Sequence, residues 1–441
     1  MSSSILVKNG FVITMDARRK VFRGDIYVAG DTIKELGSSR DRADLVIDAA
    51  GKWVIPGLIQ THIHLAQTLF RNQADDLELL DWLKKRILPF EAAHNEETLK
   101  VSALLGVAEL IKGGTTCILD MATVNHSEVV FGVLLETGIR AASGKAMMDH
   151  GSELPSPLKE KTSDSLKETE ELIKAFHLKD RGRVRYAVTP RFVLSSTRDL
   201  LLGARELALK YGLLLHTHAS ENREEIRLVR ESFGQDNIEY LHSLGFTGER
   251  LLLAHCVHVT EKELEILKDT GTKVLHCPSS NLKLASGIAP IPKMLEMGIE
   301  VSLGADGAPC NNNLDAFLEM RLASLIQKPI HGPKAMPAET TFALATLGGA
   351  KALGLEKEIG SLEVGKKADL VILNPEKVYA WPVGVAKTYS LLVYALRPCS
   401  VETTIVDGKP LYLNGKLLFL DEEELMDRSS EALTKIMRMV S

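Results

Sequence analysis

The chain has 441 residues, 45% hydrophobic and 25% charged, an ordinary globular composition with enough apolar surface for a deep core, so disordered and fibrous classes are excluded. Fifty-three Lys+Arg stand against 58 Asp+Glu, a net charge of −5 with no dense basic block, which argues against a nucleic-acid partner. At about 150 residues per domain the length suggests roughly three units, although a closed α/β barrel occupies about 250 residues as one.

At the start, Lys8 and Asn9 fall where a secretory segment would need apolar residues, and no uncharged apolar run of membrane-spanning length follows. A cytoplasmic protein with no membrane partner is expected. Cys117, Cys256, Cys277, Cys310 and Cys399 are odd in number and far apart, so reduced, largely buried thiols are expected.

Short β-rich runs open the chain, Ile5–Val7, Phe11–Thr14, Asp25–Val28 and Thr32–Ile33, broken by Asn9-Gly10 and Gly30-Asp31. The same style returns at the far end in 368–373, 401–406 and 410–413, with Asp407-Gly408 and Asn414-Gly415 as hairpin turns. Two such ends imply one small β-sandwich built from both termini, residues 1–52 and 361–441, the latter closing with a helix. Between them, residues 53–360 alternate strand and helix, with strands at 53–61, 115–121, 138–147, 184–190, 212–218, 250–255, 272–276 and 299–305. Helices read from Glu96 to Lys112, ended by Gly113-Gly114, and from Thr260 to Lys268, with Glu263 completing a capping box. Eight strands with helices between them specify an α/β fold, a (β/α)8 TIM-type barrel. No Gly-x-Gly-x-x-Gly follows an early strand, so dinucleotide binding has no support.

The first of these strands runs into His62-Ile63-His64, and residues two apart share one face of a strand. The fifth ends in His216-Thr217-His218 followed by Glu221, the sixth in His255, and the eighth in Asp306. In a parallel barrel all C-terminal strand ends open on one face, so these residues converge there. Taken singly, each is better explained by burial; the set points to a metal site.

The chain resembles the amidohydrolase superfamily, in its deaminase and s-triazine hydrolase branch, over nearly its whole length. The resemblance rests on Pro56-Gly57-Leu58-Ile59 before His62 and His64, His218 with Glu221 three residues on, Ala254-His255-Cys256-Val257-His258, His276-Cys277-Pro278-Ser279-Ser280-Asn281, Gly304-Ala305-Asp306 and the late stretch 360–370. It implies that His62, His64, His218 and Asp306 ligate one divalent ion. Three imidazoles and a carboxylate suit Zn2+, with Fe2+ or Mn2+ as alternatives. The strand over 184–190 offers no terminal lysine for a carbamylated two-metal site, which favours one ion. Catalytic roles follow for Glu221 as proton donor to a ring nitrogen, His255 as hydrogen-bonding partner of the nucleophile, and Asp306 as proton acceptor. Glu221 could also be only the charged first turn of a helix. His216 is expected to support the site from behind, with His258 and His276 outside the ligand set.

Two signals bear on the substrate, a small heterocycle. Gln67, Arg191 and Phe192 resemble the residues that hold the purine in guanine deaminases. Trp82 and Glu91 resemble the tryptophan and ribose-binding glutamate of S-adenosylhomocysteine and methylthioadenosine deaminases, as do 281–284, 287–290 and 310–313. Lys145 and Arg191, however, replace an arginine and a histidine of that subgroup. Because a site built for one polar edge rejects substrates lacking it, Arg191 directs the reading to guanine, giving xanthine and ammonia, the alternative being that Arg191 is a structural salt-bridge residue and Phe192 part of the core. The alternatives are S-adenosylhomocysteine or methylthioadenosine, a pterin, or an s-triazine substrate for amino- or chlorohydrolysis. A silent assembly protein on the same barrel would be marked by a lost ligand, and none is lost. The resemblance also implies a homo-oligomer.

Overall fold

The computed structural model describes residues 4–37, 42–151, 154–384 and 387–440. The barrel strands are Leu58–His64, Thr115–Met121, Arg140–Gly144 continued by Ala146–Met147, Val184–Pro190, Leu214–Ala219, Leu251–His255, Lys273–His276 and Val301–Leu303. All pair in parallel, in chain order. Beyond Val301–Leu303 the chain resumes pairing at Asp306–Gly307, which lies beside Ile63 and His64 and closes the barrel. Closure depends on Gly304, where a Cβ would lie 2.7 Å from the backbone of His62. Below the strand ends, Ile59, Cys117, Leu119, Ala142, Ala187, Leu252 and Leu275 belong to one buried cluster, so the interior is a core and not a pore.

The apolar run 53–61, read above as the first barrel strand, divides at Gly57. Trp53–Pro56 pairs parallel to Phe11 and Val12 and antiparallel to Leu370–Leu373, so it belongs to the terminal sheet, and the barrel begins at Leu58. Pro56 lacks an N–H for a continued ladder, and at Gly57 a Cβ would meet Thr116 Oγ1 at 1.9 Å.

Among the described residues the terminal sheet has nine strands, Ser4–Ile13, Val21–Ala29, Thr32–Leu36, Leu45–Asp48, Trp53–Pro56, Leu370–Leu373, Val401–Val406, Lys409–Leu413 and Lys416–Leu417, hydrogen-bonded as one continuous sheet. It bends over a shared core in which Val7, Val28 and Ile33 meet Leu362, Leu370, Ile372 and Ile405. The helix Glu96–Lys112 has the bounds read from sequence, its Asn95 cap accepting from the Thr98 N–H. The C-terminal helix Glu422–Val440 packs on it. Cys117, Cys256, Cys277 and Cys310 are buried free thiols, and Cys399 is exposed. Among the described residues, no helix is long and apolar enough to cross a membrane.

Candidate active site

The C-terminal strand ends place His62, His64, His218 and Asp306 so that one donor atom from each lies within 4.8 Å of all the others. Asp306 Oδ1 is 3.3 Å from both His62 Nε2 and His64 Nε2. Each ring is turned by its neighbours. His64 Nδ1 donates to the Met121 carbonyl at 2.8 Å, and His218 Nδ1 donates to the Arg191 carbonyl at 2.7 Å. A carbonyl only accepts, so both protons sit on Nδ1 and both Nε2 atoms carry lone pairs. Those lone pairs face each other at 3.2 Å. Burial, foremost, pulls His62, His64 and His218 below the ordinary histidine range, His64 to about 3, so protonation does not relieve the opposition. A cation between them does, and the N3O donor set with His62 Nε2 otherwise unpartnered fits a divalent metal of the zinc type.

The surroundings fix these side chains from behind. His216 Nε2 contacts His62 Nδ1 at 2.9 Å, the supporting place expected of it. Ser280 Oγ donates to Asp306 Oδ2 at 2.7 Å, and Asp120 accepts from the Leu65 N–H at 2.9 Å and from Ser143 Oγ at 2.6 Å, pinning the turn after His64. Ser280 and Asp120 received no role from the sequence, although Ser280 lies in a motif that carried the resemblance; the signal for Asp120 was a carboxylate inside an apolar strand. Asp306 and His255 have φ of 66° and 75°, left-handed conformations that cost about 1–3 kcal/mol each and turn the side chains into the site. His258 Nε2 is held by the Ser286 carbonyl at 2.6 Å, and neither His258 nor His276 is in the ligand cluster.

Glu221 and His255 stand beside the cluster, with His255 Nε2 3.3 Å from Glu221 Oε2 and 3.8 Å from Asp306 Oδ2. Asn281 Oδ1 accepts from His255 Nδ1 at 2.8 Å. Burial, then the charges of Asp306 and Glu225, push the Glu221 carboxyl well above its usual range. The helix-start part falls to Glu225, which accepts from the N–H groups of Glu221 and Asn222.

Gln67, Leu79, Trp82, Leu83, Arg191, Phe192 and Leu284 wall a narrow cleft above these groups. Glu91 stands behind Gln67 and Arg191. Arg191 Nη1 donates to Glu91 Oε2 at 2.7 Å, Arg191 Nη2 to Oε1 at 3.2 Å, and Gln67 Nε2 to Oε1 at 2.8 Å. This changes the reading of Arg191 and Gln67 as donors to a guanine carbonyl, because the donors invoked for it are aimed at a carboxylate. Burial opposes the Glu91 charge, yet the Arg191 guanidinium holds the group below its ordinary range. Gln67 Oε1 and Trp82 Nε1 are left as a buried acceptor and a buried donor without partners. Lys145 is fully buried away from the cleft, bonded to the Val124 carbonyl, Glu160 and Glu168.

Residues 53–411 match the family model described as "Amidohydrolase family". The chain is 40% identical over 438 residues to a 5′-deoxyadenosine deaminase of Methanobrevibacter smithii, covering 98% of each. It is 37% identical over 433 residues to a 5-methylthioadenosine/S-adenosylhomocysteine deaminase of Syntrophobacter fumaroxidans, covering 97% of each. Among solved structures, an adenosine deaminase from Xanthomonas campestris with bound zinc superposes with a TM-score of 0.92 at 29% identity over 98% of both chains.

Proposed function

The chain belongs to the amidohydrolase family and is a metal-dependent hydrolase of C–N bonds, a deaminase, and from that footing we propose that it deaminates 5′-deoxyadenosine or a 5′-substituted adenosine such as methylthioadenosine. This replaces guanine as the preferred substrate and takes up the alternative left by Trp82 and Glu91. Relatives alike over their whole length carry those substrate names. The Gln67–Glu91–Arg191 network supports the move away from guanine, since the Arg191 and Gln67 donors invoked for its carbonyl are turned to a buried carboxylate. The single observation carrying the chemistry is the pair of opposed Nε2 lone pairs beside the buried Glu221 carboxyl, whose Oε2 lies 3.3 Å from His255 Nε2.

In this reading His62, His64, His218 and Asp306 hold the ion, with Zn2+ preferred. When bound, the ion supplies Lewis acidity that brings the pKa of water to about 7. Asp306 Oδ2, steadied by Ser280, takes a proton from water as oxygen adds to C6 of the purine. Glu221 gives its proton to N1. The proton on Asp306 passes to the C6 amino group, the C–N bond breaks and ammonia leaves. The remaining C6 hydroxyl proton returns to Glu221, leaving the 6-oxo purine with N1 protonated. His255, fixed by Asn281, orients the attacking oxygen, while Trp82 and Phe192 flank the ring and exclude water.

Ammonia release from 5′-deoxyadenosine, methylthioadenosine, S-adenosylhomocysteine, adenosine and guanine, measured side by side on zinc-loaded enzyme, tests the assignment. Efficient turnover of the first two is expected. Guanine as the best substrate would overturn it.

A further inference from the structure

We infer that Glu319 is a positioning residue that braces Asp306 from two sides, one arm running through the segment that carries Ser280 and the other through Asn311. The inference rests on the reading above, in which Asp306 both holds the ion and carries the proton. Glu319 is buried on the helix Ala316–Leu325, and its two oxygens serve different partners. Oε2 accepts from the Ser279 N–H at 3.1 Å, and Oε1 accepts from Asn311 Nδ2 at a longer 3.4 Å. Ser279 sits in the first turn of the short helix Pro278–Lys283, where an N–H has no carbonyl one turn earlier to take it. The next residue, Ser280, donates to Asp306 Oδ2. On the other arm, Asn311 Nδ2 also donates at 2.5 Å to the carbonyl of Ala305, the residue just before Asp306. Side chain and backbone of Asp306 are thus held by two segments that Glu319 ties together.

Asp306 needs such support. Its φ of 66° costs about 1–3 kcal/mol, and a conformation of that kind persists only where the surroundings impose it. Ser280 and Asn311 impose it as long as their own segments keep their places. Without the carboxyl, the buried Ser279 N–H has no acceptor, so the turn moves toward another partner and carries Ser280 with it. Asn281, whose Oδ1 fixes His255, lies on the same turn. Metal binding and proton transfer then weaken together.

Glu319→Ala, Glu319→Gln and Asn311→Ala are compared with the wild type in zinc affinity, by competition with a chelator, and in steady-state kinetics on 5′-deoxyadenosine at saturating zinc. Glu319→Ala is expected to weaken zinc binding and to lower kcat, each by about 10-fold or more, with KM changed less than about threefold. Glu319→Gln keeps an acceptor for the Ser279 N–H and should recover most of both. In a Ser280→Ala background, Glu319→Ala should cost less than it does alone, since one arm is already cut. A carboxyl that only stabilises the fold would lower the melting temperature of Glu319→Ala and leave zinc affinity and kcat at wild-type values, and that result would overturn the inference. A loss confined to KM, or an undiminished loss in the Ser280→Ala background, would do the same. If Glu319→Ala does not accumulate folded, Asn311→Ala decides: a joint fall in zinc affinity and kcat supports the brace, and wild-type values of both refute it. If the wild type turns over no adenosine-type compound, the substrate reading fails by itself, and the zinc affinities still judge Glu319.

Discussion

Arg140, at the start of the third barrel strand, grips Asp369 of the terminal sheet through two hydrogen bonds, Nε to Oδ2 at 2.7 Å and Nη2 to Oδ1 at 3.0 Å. The same guanidinium reaches Asp407 Oδ1 at 2.8 Å. Burial opposes its charge, but Asp369 outweighs it and keeps the arginine ionised. The barrel and the sheet formed by both chain ends are thus joined by a buried ionic knot. Arg140→Leu takes from the buried Asp369 its ion-pair partner, while Asp407 keeps Arg181 at 3.4 Å, and is expected to cost about 3–5 kcal/mol. Urea denaturation of both proteins checks this; a change below 1 kcal/mol, roughly the worth of a surface pair, would contradict it.

Metal removal follows from the opposed lone pairs of His64 and His218. Dialysis against a chelator should abolish ammonia release, and one equivalent of Zn2+ should restore it. The melting temperature should fall on removal, because a ligand that binds only the native state stabilises it. Undiminished turnover by protein shown metal-free by elemental analysis would refute the site.

Burial and its acidic neighbours raise the Glu221 carboxyl well above its usual range, which favours the acid form, and Glu221→Gln keeps the shape while removing the transferable proton. The expected result is a fall in kcat of about 10²–10⁴-fold with zinc retained. Activity within threefold of wild type would remove Glu221 from the mechanism.

Glu319 carries a stability prediction with a definite sign. Burial raises its carboxyl from 4.5 to about 8, against the pull of its hydrogen bonds from Ser279. Its folded pKa lies above its unfolded one, so its contribution is fully present below about pH 4.5 and is lost as pH rises through 8. Glu319→Gln stays neutral and keeps an acceptor for the Ser279 N–H. The variant should therefore gain on the wild type between pH 5 and 8, by an amount on the order of a few kcal/mol. Melting curves across that range test it, and a constant difference would count against the buried acid.

The sequence by itself determined the barrel, the joining of both chain ends in a second sheet, and the residues that meet at the metal site. Strand periodicity is local, and a parallel barrel carries every strand terminus to one face, so His62, His64, His216, His218, His255 and Asp306 could be brought to that face without coordinates, and the family resemblance singled out four of them as ligands. The helix Glu96–Lys112 was equally legible, because its cap and its closing glycines are local chemistry. Only the tertiary structure decided where Trp53–Pro56 belongs, since an apolar run does not reveal which sheet its backbone pairs with. It also decided what Arg191 does. A guanidinium's role depends on its partner, and Glu91 is 100 residues away in the chain. The roles of Asp120, Ser280 and Asn281 likewise come from hydrogen bonds between segments remote in sequence, which no spacing rule encodes.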